Sequence, residues 1–374
     1  MKILFISRAY PPIVGGIENQ NYELGKWLGK IAEVKIIANK YGKIFLPLFL
    51  PFATLYTLFN LRKYDALLLG DGVLSIVGWK AKLFYNKPVI CVVHGLDLTF
   101  KSGIYQKFWV NIFIKKLDKL IAVGNETAKV AKEKLNISEN IKNEEANISC
   151  DRNKCSLPEI VFIPNGVDTD KFLGNYEKED LEKVLGEKIE NKKFLLTSGR
   201  LAKRKGVAWF IRNVLPKLPE NVIYIVAGDG PDKGNIENAI KENHLENRVR
   251  ILGYVTDETR NILFNTCDLF IQPNIKVPGD MEGFGISVIE AASCKIPVIA
   301  SNIEGLKDAI IDGENGFLAE LGNSEIWIRK INKLLADDNF RKEFGERARQ
   351  FVIDNYRWEI IAKKYLEEIK KTIN

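Results

Sequence analysis

The sequence predicts an α/β protein with two doubly wound domains, in each of which helices cover both faces of a parallel sheet. Three observations lead to this fold class. Short apolar runs rich in β-branched residues alternate with amphipathic stretches along the chain. The runs form two consecutive sets of about six. The length of 374 residues suits two domains of ordinary size.

Each apolar run has the length of one buried strand, and the segments between the runs have helical spacing. The first set of predicted strands covers 3–7, 34–38, 66–69, 89–93, 120–123 and 161–163. The second set covers 194–197, 222–227, 249–252, 269–272, 297–300 and 316–319. Helices are predicted between them, for example at 18–30 and 206–215.

A turn at Pro164-Asn165-Gly166 follows the first set of strands, and we place the two domains at 1–172 and 173–355. The polar segment 138–158 is rich in Asn, Glu and Lys and is predicted to be a surface insertion. The tail, 356–374, has apolar residues on one face at helical spacing and is predicted to be a separate amphipathic helix.

Composition narrows the functional classes. The chain is 46% hydrophobic and 28% charged, which is typical of a globular protein, and only two histidines are present. Its net charge of +7 suits phosphate-bearing ligands or an anionic membrane surface and does not require nucleic acid. Cys91, Cys267 and Cys294 lie in apolar runs and are predicted to be buried thiols, whereas Cys150 and Cys155 are too few ligands for a zinc site.

The longest apolar stretch, 44–59, is interrupted by Pro47 and Pro51, and we expect it to fall short of a membrane-spanning helix. The N-terminal apolar run is too short for a signal peptide, so a cytoplasmic protein is expected. Peripheral docking on anionic lipid or a core-facing helix would each explain the stretch. The cations considered for docking are Lys40, Lys43, Arg62, Lys63, Lys115, Lys116 and Lys119.

Ligands of parallel sheets bind at the carboxyl ends of strands, so the residues after each run are candidates. Gly15 and Gly16 follow the first strand and precede a helix, where backbone amides can approach a phosphate. Plain turn glycines are the alternative, and no third glycine completes a dinucleotide fingerprint. His94 ends the strand 89–93 and is either a structural or a functional histidine.

Two segments of the second domain carry charge at strand or helix ends. Four cations, at positions 200, 203, 204 and 205, follow the strand 194–197, where they are either a solvated charge run or a diphosphate site. Glu282 and Glu290 flank Gly283, Phe284, Gly285, Ile286 and Ser287. A helix that starts near Gly285 would offer amides to phosphate and carry Glu290 one to two turns later.

Together these pieces resemble the retaining glycosyltransferases of family 4, including bacterial and archaeal mannosyl- and glucosyltransferases, over nearly the whole chain. The matching motifs lie at 11–18, 165–168, 198–206, 228–231, 282–290, 297–301 and 315–318. The resemblance implies the GT-B fold, in which an acceptor-binding domain and a nucleotide-sugar-binding domain face each other across a cleft. It also implies that the tail helix packs back on the first domain.

The resemblance assigns a role to each matching residue. Arg200 and Lys205 would bind the donor diphosphate, and Gly16 would contact it from the first domain. Glu282 would bind sugar hydroxyls and Glu290 ribose hydroxyls, with the backbone around 283–287 holding phosphate and sugar. His94 would lie beside the donor sugar, and the turn 253–255, ending at Val255, would meet the base. Glu304 replaces one glycine of a common pair before Gly305, and little consequence is expected.

The implied reaction is transfer of a hexose from a nucleotide-diphosphate sugar to a saccharide or lipid-linked acceptor, in cell-surface glycan or glycolipid synthesis. Retention would proceed by front-face attack, with the leaving diphosphate accepting the acceptor proton. No metal or cofactor is required in this scheme. Asp168 and Asp170 match a metal-binding D-x-D pattern but are interpreted as turn residues.

The nucleotide stays open between GDP and UDP. Asp257 is placed to read guanine, with Arg260 one turn later, but capping of a helix at 258–266 explains it equally well. Three other functions are alternatives: a sugar-nucleotide epimerase of the same fold, a non-catalytic nucleotide-sugar-binding partner and an NAD-dependent oxidoreductase. The filled catalytic positions and the missing dinucleotide fingerprint favour transfer.

Overall fold

The computed structural model describes residues 1–13, 15–137 and 157–373. They form two compact units, one made of Met1–Gly166 with Trp358–Asn374 and the other of Val167–Arg357. Most of the predicted insertion at 138–158, with Cys150 and Cys155, lies outside the described residues. Cys91, Cys267 and Cys294 are buried free thiols, as predicted.

The first unit is built on a six-stranded parallel sheet with the order β2-β1-β3-β4-β5-β6. Its strands are β1 (Lys2–Ser7), β2 (Glu33–Ala38), β3 (Ala66–Leu69), β4 (Val89–Val93), β5 (Lys119–Ala122) and β6 (Glu159–Phe162). Strands β3 and β4 are buried throughout, because helices cover both faces of the sheet. The strand order reverses between β1 and β3, so their carboxyl ends bound the crevice in which such sheets bind ligands.

The helices of the first unit divide between the two faces of this sheet. They are α1 (Gly16–Leu28), α2 (Leu46–Asn60), α3 (Ser75–Phe84), α4 (Leu96–Thr99), α5 (Gly103–Tyr105), a π-helix (Gln106–Phe113), α6 (Asn125–Leu135) and, from the tail, α15 (Trp358–Ile373). Helices α1 and α15 pack on the face that includes Ile3 and Phe5. Helices α2 and α3 and the π-helix share the opposite face, with Leu4 and Ile6.

The second unit has a six-stranded parallel sheet with the order β12-β11-β10-β7-β8-β9. Its strands are β7 (Lys193–Ser198), β8 (Val222–Ala227), β9 (Val249–Gly253), β10 (Leu269–Gln272), β11 (Val298–Ser301) and β12 (Phe317–Ala319). The strand order reverses between β7 and β10, which makes their carboxyl ends the ligand crevice of this sheet. The predicted fold class, with two doubly wound parallel sheets, is confirmed.

Helices of the second unit alternate with its strands. They are α7 (Lys178–Leu185), α8 (Val207–Asn213), α9 (Lys233–Glu242), α10 (Asp257–Thr266), α11 (Ile286–Ser293), α12 (Leu306–Ala309), α13 (Ser324–Ala336) and α14 (Asp338–Tyr356). Trp327 of α13 is fully buried among aromatic residues of β8 and α8. Trp327 thus lies in a core that joins helices to the sheet, and this sheet positions the charged loops described below.

The apolar stretch near α2 differs from its prediction. Helical turns at Lys43–Phe45 and Leu61–Lys63 extend α2 at both ends, and Pro51 lies inside the helix without ending it. Among the described residues, this run of Lys43–Lys63 alone has the length and hydropathy of a membrane span, although a core helix would pass the same test. The expectation that its prolines interrupt it was wrong, because packing of its inner face on the sheet outweighs the helix-breaking tendency of Pro51.

Candidate active site

Two loops of the second unit are in close backbone contact at the crevice between β7 and β10. Gly206 adopts a φ of +67°, and a Cβ atom there would lie 1.8 Å from the Pro273 carbonyl oxygen. Beside it, the Ile275 N–H donates to the Arg204 carbonyl at 2.8 Å. Only glycine fits position 206 without moving backbone. This close approach places the cations that follow β7 next to the carboxylate that follows β10.

Lys205 and Glu282 form a buried ion pair at this place. The Lys205 Nζ lies 2.7 Å from the Glu282 Oε2, and the Glu282 residue is only 7% exposed. The Asn274 side-chain amide donates to the same oxygen at 3.0 Å, and a terminal guanidinium nitrogen of Arg204 lies 3.7 Å from the other oxygen, Oε1. Two residues that the sequence suggested for separate tasks are therefore direct partners.

The Glu282 carboxylate is ionised at physiological pH. Burial alone would raise its pKa, but the charges of Lys205 and Arg204 and the hydrogen bonds from Lys205 and Asn274 lower that pKa to about 2. A carboxylate that holds its charge so firmly is a poor proton donor or base near pH 7. It is suited to accept hydrogen bonds from hydroxyl groups.

Backbone contacts from the segment before α12 hold Glu282 in place. The Glu304 carboxylate accepts a hydrogen bond from the Glu282 N–H at 2.7 Å, and the Gly305 N–H donates to the Glu282 carbonyl at 3.1 Å. Glu304 has a φ of +46°, which is unfavourable for a residue with a side chain. The expectation that Glu304 has little consequence stays a prediction, but its side chain does contact the backbone of a site residue.

Arg200 and Lys203 of the same loop differ from Lys205 in being exposed. Within the part of the chain that the structure describes, Arg200 takes part in no ion pair, so its guanidinium charge is not neutralised by the protein. The predicted cluster of four cations thus divides into two that lie against Glu282, Lys205 and Arg204, and two that are exposed, of which Arg200 is an arginine able to bind an anion.

Helix α11 begins where the sequence predicts. Gly285 caps it with a φ of +88°, and a Cβ atom there would lie 2.5 Å from the Leu306 side chain. Ile286 and Ser287 form the first turn, so their amide groups are at the positive end of the helix. Glu290 follows just over one turn later. Gly283 and the buried Phe284 complete the turn into the helix.

Sequence reasoning missed two buried polar residues that support this helix start. Gln272, the last residue of β10, donates to the Asn274 side chain at 2.5 Å and accepts from the Ser287 hydroxyl at 3.3 Å. Since Asn274 donates to Glu282, a continuous network joins the first turn of α11 to the ion pair. The available signal was a polar pair directly after an apolar strand.

The surroundings of Glu290 include Arg260 of α10. Burial raises the Glu290 pKa, and the charges of Arg260 and Lys171 oppose that rise. Arg260 also lies 2.8 Å from the Asp257 carboxylate and stacks on Phe172, with 4.6 Å between the guanidinium carbon and the ring centroid. The predicted Asp257 and Arg260 side chains are thus paired with each other.

Asp257 does not cap α10, which corrects one of its two interpretations. Thr256 is the capping residue, and its hydroxyl accepts a hydrogen bond from the Thr259 N–H at 3.1 Å. Asp257 is instead the exposed first residue of the helix, where a negative charge is favourable. Val255, the predicted backbone contact to the base, is half-buried just before this cap.

In the first unit, His94 follows β4 beside the crevice between β1 and β3. Its Nε2 donates to the Gly70 carbonyl at 3.0 Å, and its backbone N–H donates to the Asp97 carboxylate at 3.1 Å. A carbonyl oxygen can only accept, so Nε2 carries a proton and Nδ1 is the remaining polar atom of the ring. The half-buried imidazole is thus fixed in one orientation.

The two predicted glycines at the start of α1 differ in their surroundings. A Cβ atom on Gly15 would lie 2.2 Å from the Glu18 carboxylate, which packs over that position. A Cβ atom on Gly16 would meet nothing within 4 Å. Because the Glu18 carboxylate is the far end of a flexible side chain and can move aside, no contact among the described residues requires glycine at position 15 or 16.

A buried ion pair at the same crevice was missed in the sequence. The Arg8 Nε lies 2.8 Å from the fully buried Asp71 carboxylate. Burial raises the Asp71 pKa, and the charge of Arg8 opposes that rise. Arg8 directly follows β1 and Asp71 lies two residues after β3, so adjacent strands bring them together although they are 63 positions apart.

The D-x-D pattern lies in a turn of the second unit. Arg349 donates to the Thr169 carbonyl at 2.6 Å and lies 2.9 Å from the Asp170 carboxylate. Asp168 accepts from the Asp170 N–H at 3.3 Å. Over the described residues, no group of three or more His, Cys, Asp or Glu side chains is arranged to hold a metal ion.

Comparisons with known proteins agree in one description. A family model for glycosyl transferases group 1 matches residues 178–351. An uncharacterized glycosyltransferase of Methanocaldococcus jannaschii, MJ1069, is 30% identical over 306 residues, which cover 79% of this chain and 71% of that protein. The Escherichia coli UDP-Gal:alpha-D-GlcNAc-diphosphoundecaprenol alpha-1,3-galactosyltransferase is 27% identical over 81% of this chain and 74% of its own length.

Solved structures give the same fold. The crystal structure of Anabaena Alr3699/HepE in complex with UDP and glucose superposes with a TM-score of 0.75 and 20% sequence identity. The match covers 99% of this chain and 100% of that chain.

Proposed function

The chain belongs to the group 1 glycosyl transferases of the GT-B fold, and we propose that it moves a hexose from a nucleotide-diphosphate sugar to a saccharide or lipid-linked acceptor with retained anomeric configuration. It is a glycosyltransferase of glycan biosynthesis. The observation that carries the finer proposal is the Lys205–Glu282 pair at the crevice between β7 and β10, beside the exposed Arg200.

In this proposal the donor diphosphate binds at the carboxyl end of β7. Arg200 contributes a guanidinium that can bind two phosphate oxygens, and the first turn of α11 contributes amides at Ile286 and Ser287. Both stabilise the negative charge that grows on the leaving diphosphate. The ammonium of Lys205 adds positive charge near the diphosphate and also keeps Glu282 ionised.

The two carboxylates then bind hydroxyl groups of the donor. Glu282 is ionised and rigidly held, which suits it to accept hydrogen bonds from sugar hydroxyls. Glu290, beyond the first turn of α11, is assigned to the ribose hydroxyls by the family resemblance. Neither carboxylate needs to act as a covalent nucleophile, because in front-face attack the acceptor hydroxyl attacks the sugar directly. Neither needs to act as a base, because the departing diphosphate takes the proton of that hydroxyl.

We assign the first unit to the acceptor. Its Gly16 and the oriented imidazole of His94 are further predicted donor contacts, and Gly16 has no local packing requirement for glycine. The acceptor class proposed is a saccharide or a saccharide on a lipid carrier. The Escherichia coli relative is named for a diphosphoundecaprenol-linked acceptor, which supports the second option.

For the donor base we propose uridine first and guanine second. The Escherichia coli relative is named for UDP-Gal, which supports uridine. The guanine hypothesis rests on Asp257, whose carboxylate is already paired with Arg260 at 2.8 Å. A guanine base would have to replace that pairing or share it.

Metal independence and a cytoplasmic site of action are parts of the same proposal. Arg200 and the α11 amides supply positive charge that a magnesium ion would otherwise contribute. Nucleic acid is not an expected partner. Buried free thiols at Cys91, Cys267 and Cys294 are typical of a reducing compartment. The epimerase and silent-partner alternatives gain no support from the relatives, which are named as transferases.

A donor panel tests the proposal. Purified full-length protein is incubated with UDP-glucose, UDP-galactose, UDP-N-acetylglucosamine and GDP-mannose, with extracted lipids or sugars as acceptors. We expect acceptor-dependent release of the nucleotide from one UDP-hexose and an α-linked product by NMR. Epimerised free nucleotide sugar, or a product of inverted configuration, would overturn it. Glu282→Gln is the matched inactive control.

A further inference from the structure

Helix α2 is apolar on two opposite faces, and only one of them is covered. Phe49, Ala53 and Leu61 face inward and are buried in the core formed with the first sheet. An ordinary surface helix would carry polar residues on its other side. The inner side of the helix is therefore held in the core of the first unit.

The outer face of α2 and its preceding turn is an exposed apolar stripe. Ile44 is 89% exposed, Leu48 72% and Phe59 79%, and Phe52 and Leu55 between them are also exposed. The spacing of three to four residues places all five on one side of the helix. Large exposed apolar patches on a folded protein mark a surface that meets another apolar phase.

A second stripe lies on the same side of the sheet. Phe100, Ile104, Phe108 and Ile112 recur every four residues through α5 and the π-helix, and all four are exposed. Helix α3 packs against both α2 and the π-helix, since all three contribute to one core on this side of the sheet. It ends in exposed Leu83 and Phe84. This second stripe was not predicted from the sequence.

Positive charge is concentrated in the same part of the chain. Residues 34–117 contain twelve Lys and Arg but only three acidic residues, of which Asp71 and Asp97 are buried. This stretch therefore carries +9, more than the +7 of the whole chain. The cations within the two stripes or next to them in the sequence are Lys40, Lys43, Arg62, Lys63, Lys101, Lys107 and Lys115.

Lys119 does not belong to this group, contrary to the sequence interpretation. It is a buried residue of β5, and its ammonium lies 2.7 Å from Glu368 and 3.0 Å from Glu159. Its charge is neutralised inside the unit, so it adds nothing to the outer surface.

We propose that the two stripes, Ile44–Phe59 and Phe100–Ile112, dock together in the headgroup region of an anionic bilayer, as a peripheral surface that does not span it. Exposed aliphatic and aromatic side chains enter the acyl boundary while the surrounding cations meet anionic headgroups. Spanning would require Phe49 and Ala53 to leave the core of the sheet. A symmetric dimer through this face would bring the cations beside the stripes of one copy against those of the other, which disfavours a second copy as the occupant.

Docking extends the proposed function but does not depend on it, because it requires no transfer. If the acceptor is lipid-linked, this surface would hold the first unit at the membrane where such acceptors reside. Binding and transfer can therefore be measured separately, and each can fail while the other succeeds.

Co-sedimentation of the full-length protein with vesicles tests the proposal. We expect binding to phosphatidylcholine vesicles that contain about one third phosphatidylglycerol, weak binding to pure phosphatidylcholine, and release by high salt. Leu48→Ser with Phe52→Ser should reduce partitioning about ten-fold. Lys43→Gln with Arg62→Gln and Lys63→Gln should reduce it roughly 100-fold at low salt. Ile311→Ser with Leu321→Ser changes exposed apolar residues of the second unit and is the matched control.

Three outcomes would overturn the proposal. Failure of the wild-type protein to sediment with anionic vesicles is the first. The second is a dimer in analytical ultracentrifugation that Leu48→Ser with Phe52→Ser abolishes. The third is membrane-bound protein that only detergent, and neither salt nor alkaline carbonate, releases. Circular dichroism melting of each variant confirms that it is folded, and transfer to a water-soluble acceptor reports activity independently.

Discussion

The Glu304 carboxylate accepts a hydrogen bond from the backbone N–H of Glu282 at 2.7 Å, although Glu304 itself lies at a φ of +46°. A favourable contact and an unfavourable backbone conformation therefore occur in one residue. The contact acts on the residue whose carboxylate is paired with Lys205. Glu304 is thus a positioning residue for the proposed sugar-binding carboxylate.

Substitutions of Glu304 should follow a definite order of stability. Glu304→Gln keeps an acceptor oxygen and should be near wild type. Glu304→Gly loses the acceptor but relieves the positive φ, and Glu304→Ala loses the acceptor without that relief. Alanine should therefore be worst, with a loss of about 1–3 kcal/mol in the free energy of unfolding. Urea unfolding measures this order, and an alanine variant more stable than the glycine variant would contradict it.

The Lys205–Glu282 pair should make the protein sensitive to loss of the cation. Lys205→Met removes the ammonium partner of the buried Glu282 carboxylate. Because the buried negative charge is then poorly neutralised, the free energy of unfolding should fall by about 3 kcal/mol at pH 7. Lys203→Met, an exposed neighbour, is the control and should change little. The double variant Lys205→Met with Glu282→Gln should recover part of the loss, since no unpaired charge then remains.

The pH dependence of this effect follows from the depressed pKa. Glu282 has a folded-state pKa of about 2 against an ordinary value of 4.5, so its stabilising contribution is present above pH 4.5 and is lost as pH falls toward 2. The stability gap between wild type and Lys205→Met should accordingly be constant near neutral pH and shrink below about pH 4.5. Urea titrations at pH 7 and pH 4 are sufficient, and a gap that widens in acid would refute the pairing.

Strand positions were predictable because the strands are buried on both sides. Runs such as 66–69 and 89–93 are continuously apolar, and the structure has strands at the same residues. The continuation of helix α2 past Pro51 was not predictable by the same reasoning. Pro51 disfavours a helix locally, but contacts of Phe49 and Ala53 with the sheet outweigh it, and such contacts between distant segments leave no local signal.

Some residues of the candidate site could be predicted from the sequence and others could not. The segment 282–290 was recognisable because glycine, carboxylates and a helix start lie together in the sequence. The Arg8–Asp71 pair depends on which strands are neighbours, and strand order cannot be read from one sequence. The Asn274–Glu282 hydrogen bond depends on how the loop between β10 and α11 folds. Polar residues directly after buried strands were the one usable signal for both.

Arg200 should matter for turnover and little for folding. It is exposed and forms no ion pair among the described residues, so Arg200→Ala should leave the melting temperature unchanged. Loss of one charged contact to the leaving diphosphate should lower kcat about 10²–10³-fold. Arg200→Lys keeps the charge without the two-pronged geometry and should be intermediate. Lys203→Ala, in the same loop, is the control, and equal turnover for Arg200→Ala and Lys203→Ala would remove Arg200 from the mechanism.

Transfer should continue unchanged in excess EDTA. A metal-dependent glycosyltransferase places carboxylates around a divalent ion beside the diphosphate. At the crevice between β7 and β10, the Glu282 carboxylate forms an ion pair with Lys205. The Asp170 carboxylate of the D-x-D pattern lies in a turn, where it forms an ion pair with Arg349. In the proposed mechanism, Arg200 and the first turn of α11 provide the positive charge instead. Initial rates are compared after EDTA treatment and after readdition of magnesium, with the donor identified in the panel. Activity that stops with the chelator and returns with magnesium would show that a metal, rather than Arg200, neutralises the leaving group.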